Sequence, residues 1–155
     1  MIMVYVDGLC EPQNPGGVAS YGFAVYSGDE KLHEQSGVVG EGSGMSNNVA
    51  EYAALFEALK WLLGQALKDE EVIVRSDSRL LVNQMSGHWL SHGGLYADKY
   101  SEALKLASHF NRISFVWVPR EQNVEADSLS RKAYAEYSVS KGAEPRYYES
   151  GKSRS

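Results

Sequence analysis

Residues 71–85, EVIVRSDSRLLVNQM, pass from an apolar run into an acid, Asp77, and from there into a helical pattern. The β-branched run Val72-Ile73-Val74 is short and bounded by charge, so it reads as a buried strand. The next residues, SRLLVNQMSG, read as a short helix stopped by Gly87. A buried strand ending in a carboxylate and turning into a helix is an α/β arrangement. The chain opens in a similar way, with IMVYV (2–6) running into Asp7. If the two strands lie parallel and adjacent, Asp7 and Asp77 meet at one edge of the sheet, where α/β proteins place their sites.

The rest of the chain fits around this pair. VASYGFAVY (18–26), the turn SGDE and KLHEQSGVV (31–39) predict a hairpin, followed by the loop GEGSG. Residues 48–63 are helical, with Tyr52, Leu55, Phe56, Leu59, Leu62 and Leu63 on one broad face and Glu57 and Lys60 opposite. Asn47 or Asn48 is the expected cap. A helix over 95–109, the strand RISFVWV (112–118) and a last helix from Val124 to about Tyr137, capped by Asn123, complete the series. The order β-β-β-α-β-α-α-β-α predicts a mixed sheet with helices on both faces. One domain over 1–138 and a flexible tail over 139–155 are expected, since the tail has Gly, Pro, Ser and charge without periodicity.

Composition narrows the function classes. The chain has 155 residues, 43% hydrophobic and 23% charged, enough for one cored domain. No apolar run reaches the roughly 20 residues of a membrane span, and MIMVYVDG has no basic stretch of a targeting peptide. The lone Cys10 fits a reducing compartment, so a cytoplasmic protein without a membrane partner is expected. A formal charge of −5 excludes whole-surface attraction to phosphate, so any nucleic-acid contact must use a confined patch or divalent ions.

Four of the 20 acidic residues stand apart from an ordinary solvated surface. Asp7 and Asp77 end buried strands. Glu51 flanks the Leu55-Leu59-Leu62 stripe of its helix, away from Glu57. In the last helix Ala126, Leu129, Ala133 and Tyr137 define the inward face; Asp127 shares its edge with Ser130 and Tyr134, while Glu125 is phased toward solvent. An oxygen-rich set of this kind suits hard divalent ions such as Mg²⁺, which retain water and take phosphate oxygens. Each acid also has a bland reading: Asp7 and Asp77 form turns, and Glu51 and Asp127 favour helix starts. All four together favour the metal reading.

The motifs VDGLCEPQNPGG (6–17), SNNVAEYAAL (46–55), VRSDSRLLVNQM (74–85) and WVPREQNVEADSLSR (117–131), in this order, resemble type 1 ribonuclease H over nearly the whole domain. The resemblance implies the ribonuclease H-like α/β fold: a five-stranded mixed sheet, its first three strands antiparallel, flanked by helices on both faces. It implies an endonuclease cutting the RNA strand of RNA–DNA hybrids with two Mg²⁺ ions when substrate is bound, Mn²⁺ being the alternative ion. Asp7, Glu51, Asp77 and Asp127 are then the metal-binding and catalytic acids. Asn14, Gly16 and Gly17 would approach the ribose, whose 2′-hydroxyl marks RNA; Ser46, Asn47 and Asn48 would meet the DNA strand; Ser78 and Arg79 would lie in the minor groove. A monomer is expected. Alternatives are a nuclease of this fold preferring double-stranded RNA, and a binding module without chemistry.

Three departures from the family pattern matter. Arg79 stands where the family often has Gln. Residues 86–100, SGHWLSHGGLYADKY, contain one lysine where many members carry a basic helix and loop. The loop before Asp127 has no histidine, and Arg120 is the nearest residue to take over product release; an arginine stays protonated and is a poor general base. Trp89 is either a stacking residue or core. His88 and His92 have zinc-pair spacing but lack the Glu of HExxH, and two glycines follow them, so no zinc site is expected.

Overall fold

A computed structural model describes residues 1–89 and 93–147. The first three strands, β1 (Ile2–Glu11), β2 (Val18–Ser27) and β3 (Glu30–Glu41), form an antiparallel meander. Helix α1 (Asn47–Gly64) then leads to β4 (Glu71–Ser76), helices α2 (Arg79–Met85) and α3 (Ala97–Ala107), β5 (Arg112–Trp117) and helix α4 (Val124–Ser140). The sheet order is β3-β2-β1-β4-β5, with β4 parallel to both β1 and β5. The expected mixed sheet is therefore present, and β1 and β4 are the adjacent parallel pair.

Where the structure departs from the sequence expectation, pairing or packing explains it. β1 runs five residues past the predicted end because β2 continues to pair with it as far as Glu11 opposite Val18. Asp7 is thus inside a strand, opposite Gly22, but two residues beyond Tyr5, where the pairing with β4 stops. α1 is capped by Ser46, not by either asparagine: its Oγ accepts from Val49 N at 3.2 Å. Asn123 occupies the N-cap position of α4 without capping it; its Nδ2 instead donates to Val6 O at 2.8 Å and ties the helix start to β1. α3 is shorter than predicted at both ends. α4 continues through Ser140, so the predicted boundary at 138 falls inside a helix. Beyond it, Tyr147 packs edge-on against Tyr134, and Arg146 N donates to the Tyr134 hydroxyl at 2.9 Å.

The main core lies between the sheet and α1, where Val4, Val6, Phe23, Val25, Val72 and Val74 meet Tyr52, Leu55, Leu59 and Leu62. Gly8 lets α1 approach: a Cβ there would sit 2.4 Å from Ala50 C and 2.5 Å from Glu51 N. Gly22 does the same for α4, whose Ala126 O would lie 2.6 Å from an added Cβ. α1 also carries Tyr52, whose ring stacks on Tyr96 and whose hydroxyl donates to Gln84 Oε1 at 2.6 Å. This contact joins α1 to α2 and to the start of α3. Burial pushes the Tyr52 hydroxyl well above the usual phenol range, so it remains a donor.

Candidate active site

The register of β1 and β4 and the approach of α1 bring three carboxylates together. Asp7, Glu51 and Asp77 each offer an oxygen within 4.8 Å of the others, and all three are buried, at 2%, 6% and 4% exposure. Asp7 projects from β1 with one oxygen accepting from Gly8 N at 2.9 Å. Glu51 arrives from the second turn of α1, held close by the absent side chain of Gly8. Asp77 follows the last residue of β4, and its carbonyl accepts from Trp117 Nε1 on β5 at 3.2 Å. Three buried carboxylates so close repel one another strongly in a medium of low polarity, and a divalent cation relieves that repulsion. The donor set therefore fits a hard metal ion.

Asp127, the fourth expected acid, lies outside this grouping. Helical phase placed it correctly on the inward edge of α4: its neighbours Ala126 and Ser130 are fully buried and Tyr134 nearly so. Its carboxylate is engaged by Arg131 one turn on, whose Nε donates to both oxygens at 3.3 and 3.2 Å. That i,i+4 spacing was a readable signal for the pair. Glu125 does not simply face solvent. It accepts from the Tyr26 hydroxyl at 2.5 Å and pairs with Lys31. Burial alone would raise the Glu125 carboxyl, but the hydrogen bonds from Lys31 and Tyr26 outweigh it and hold the group below its usual range.

The loop and cap residues gather beside α1. Gly16, at φ +106°, donates from its N to Met45 O at 2.9 Å, and Asn14 Oδ1 accepts from Asn47 N at 3.0 Å. Gly17 has no room for a side chain, since a Cβ would sit 2.5 Å from Gln13 O. Asn14 and Gly16 are thereby docked against Asn47 and Met45, and the Gly17 carbonyl accepts from Gly42 N at 3.1 Å, with Asn48 half-buried in the first turn of α1. Ser78 is buried and caps α2, its Oγ accepting from Leu81 N at 3.1 Å. Arg79 is exposed, with its guanidinium carbon 3.9 Å from the centroid of the Trp117 ring. Arg120 opens a 3-10 turn, Arg120–Gln122, directly before the start of α4.

Sequence reasoning missed Trp117, which supports both Asp77 and Arg79, and the Asn123 bond to β1. Neither had a local signal, because both contacts join elements far apart in the chain. Trp89 is 48% exposed and so is not core. His92 lies outside the described residues, and the His88 pairing with it does too.

An antiparallel β3-β2-β1 meander continued by the parallel strands β4 and β5, with three buried acids where the β1–β4 pairing ends, defines the class as a ribonuclease H-like fold with a carboxylate centre. The "Reverse transcriptase-like" family model matches residues 32–133. The N-terminal RNase H domain of Rv2228c from Mycobacterium tuberculosis superposes with a TM-score of 0.79 at 33% identity, covering 92% of this chain and 98% of that one. LC11-RNase H1, solved in complex with an RNA/DNA hybrid, gives 0.79 at 35% identity, covering 88% and 99%. RNase H1 of the archaeon Halobacterium salinarum gives 0.75 at 30% identity, covering 85% and 96%. The chain belongs to the type 1 ribonuclease H family. The full bifunctional protein Rv2228c is 41% identical over 123 residues, and the chain spans 32% of its length.

Proposed function

We propose that this chain is an endonuclease that hydrolyses the RNA strand of RNA–DNA hybrids with divalent metal ions. The convergence of Asp7, Glu51 and Asp77, all buried and within 4.8 Å, carries the reading. A structure of the similar LC11-RNase H1 with an RNA/DNA hybrid supports hybrid as the substrate.

Asp7, Glu51 and Asp77 would hold Mg²⁺, or Mn²⁺ in its place, and Asp127 would complete the set. Bound there, two such ions would supply activation of the attacking water and stabilisation of the leaving oxygen of the phosphodiester. The protein's own contribution is positional. β1 and β4 fix two acids on rigid strands, α1 fixes the third, and the Trp117 bond to the Asp77 carbonyl holds the end of β4. Arg131, through its Nε, holds the orientation of the Asp127 carboxylate. Asn14, Gly16 and Gly17 present backbone and amide to the ribose of the RNA strand. Ser46, Asn47 and Asn48 meet the DNA strand from the start of α1, and Ser78 and Arg79 touch the duplex from the start of α2. Arg120 assists departure of the phosphate product. The chain acts as a monomer.

The test is incubation with labelled RNA–DNA hybrid, duplex RNA and duplex DNA in Mg²⁺, Mn²⁺ or EDTA. Hybrid is expected to be cut on its RNA strand, with cleavage lost in EDTA and in Asp7→Asn. Cleavage by Asp7→Asn at the wild-type rate would refute the metal assignment. Preferential cutting of duplex RNA would transfer the assignment to that substrate.

A further inference from the structure

We propose that Arg79, held over the ring of Trp117, binds a backbone phosphate of the nucleic acid next to the acid cluster and supplies positive charge that residues 86–100 lack. The proposal rests on the nuclease reading and specifies how the site grips a polyanion.

The need for such a cation follows from the charge distribution. The chain carries a net −5 and places three acids where the scissile phosphate must come. Across residues 86–100 the one lysine, Lys99, lies 3.9 Å from the Glu102 carboxylate. Arg79 is two residues from Asp77 and exposed, and among the described residues it forms no ion pair.

The geometry suits a phosphate contact. The guanidinium carbon lies 3.9 Å from the centre of the Trp117 ring, in contact with its face, and an arginine held on an aromatic ring keeps N–H donors that can take two oxygens of a phosphate. An arginine on a free stem must lose rotamer entropy when it binds. On the Trp117 face Arg79 has already lost much of it. Trp117 pairs with Ser76 across the β4–β5 register and donates from Nε1 to the Asp77 carbonyl at 3.2 Å. One ring therefore supports both Asp77, one of the acids that would hold metal, and the cation two residues on. Trp117 is a positioning residue, acting through Arg79 and Asp77.

The experiment measures binding of a labelled RNA–DNA hybrid by fluorescence anisotropy across a salt series in Mg²⁺. An Asp7→Asn background keeps the substrate intact, and wild-type cleavage is assayed in parallel. Adding Arg79→Gln is expected to weaken binding about 3–10-fold at low salt and to make the log K against log[salt] slope shallower by about 1. Arg79→Lys should retain the slope with part of the affinity lost. Trp117→Phe should lower affinity at an unchanged slope, because the charge remains while its platform shrinks. These outcomes, at unaltered melting temperature for the Arg79 variants, support the proposal. A merely structural stacking contact would move the melting temperature and leave the slope alone, and an unchanged slope for Arg79→Gln overturns the proposal while leaving the nuclease reading intact. Failure of the wild-type protein to cut hybrid overturns both.

Discussion

Gly8→Ala tests whether the approach of α1 to β1 sets the acid cluster. The added Cβ would lie 2.4 Å from Ala50 C, 2.5 Å from Glu51 N and 2.7 Å from Ala50 Cβ. Ordinary contact begins near 3.4 Å, so the helix backbone must retreat by about 1 Å. The obstacles are backbone atoms and a β-carbon, and no side-chain rotation can relieve them. Overpacking of this kind costs about 1–3 kcal/mol, and each kcal/mol lowers Tm by about 2–4 °C in a chain of this size. The melting temperature should therefore fall by about 2–12 °C. Glu51 moves with its helix while Asp7 stays in the sheet, and a 1 Å misplacement of a catalytic group costs about 10²-fold in rate. Hybrid cleavage should fall by that order, and Mn²⁺ titration by calorimetry should show weaker binding. Gly64→Ala is the control: it closes the same helix, meets nothing within 4 Å and should leave cleavage unchanged. A Gly8→Ala protein with wild-type Tm and wild-type cleavage would show that the approach of α1 to β1 does not set the acid cluster.

Two further outcomes follow from other parts of the site. Arg120→Ala should lower steady-state turnover by about tenfold while single-turnover cleavage is kept, the signature of slower product release; unchanged turnover would remove Arg120 from the mechanism and make Glu121 the next residue to change. Glu125→Gln tests the link between α4 and the β2–β3 hairpin. The Glu125 carboxyl is held below its usual range, so its contribution is present above about pH 4.3, its ordinary value, and is lost as pH falls through the depressed folded value. At neutral pH the variant should be less stable by about 0.5–1 kcal/mol, a figure kept small because the pair is a third exposed. The gap should narrow as pH falls and the carboxyl protonates, and a gap that stays constant down the acid range would contradict this account.

Much of the candidate site was legible because its signals are local. Asp7 and Asp77 announced themselves as acids after apolar strands, and helical phase separated Glu51 from Glu57 and Asp127 from Glu125. Phase says which way a side chain leans; it does not say what it meets. Glu125, on the outward phase, found Tyr26 and Lys31 because the hairpin lies beside α4, and Asp127, on the inward edge, is engaged by Arg131. The caps show the same limit. Asn47, Asn48 and Asn123 all suit an N-cap chemically, yet Ser46 caps α1 and Asn123 turns to Val6 O, because in the folded chain a β1 carbonyl lies within its reach.

Read alone, the sequence was enough for the order of strands and helices, the single mixed sheet and the family, and it singled out Asp7, Glu51 and Asp77 before they were seen together, since each depends on periodicity or on motifs within some 15 residues. Only the tertiary structure decided which acids converge, how far β1 extends past Asp7, and that Trp117 stands under both Asp77 and Arg79. These are contacts between residues dozens of positions apart, settled by strand register and by the close approach that Gly8 and Gly22 permit. Their energies depend on distances of a few ångströms that no linear pattern encodes.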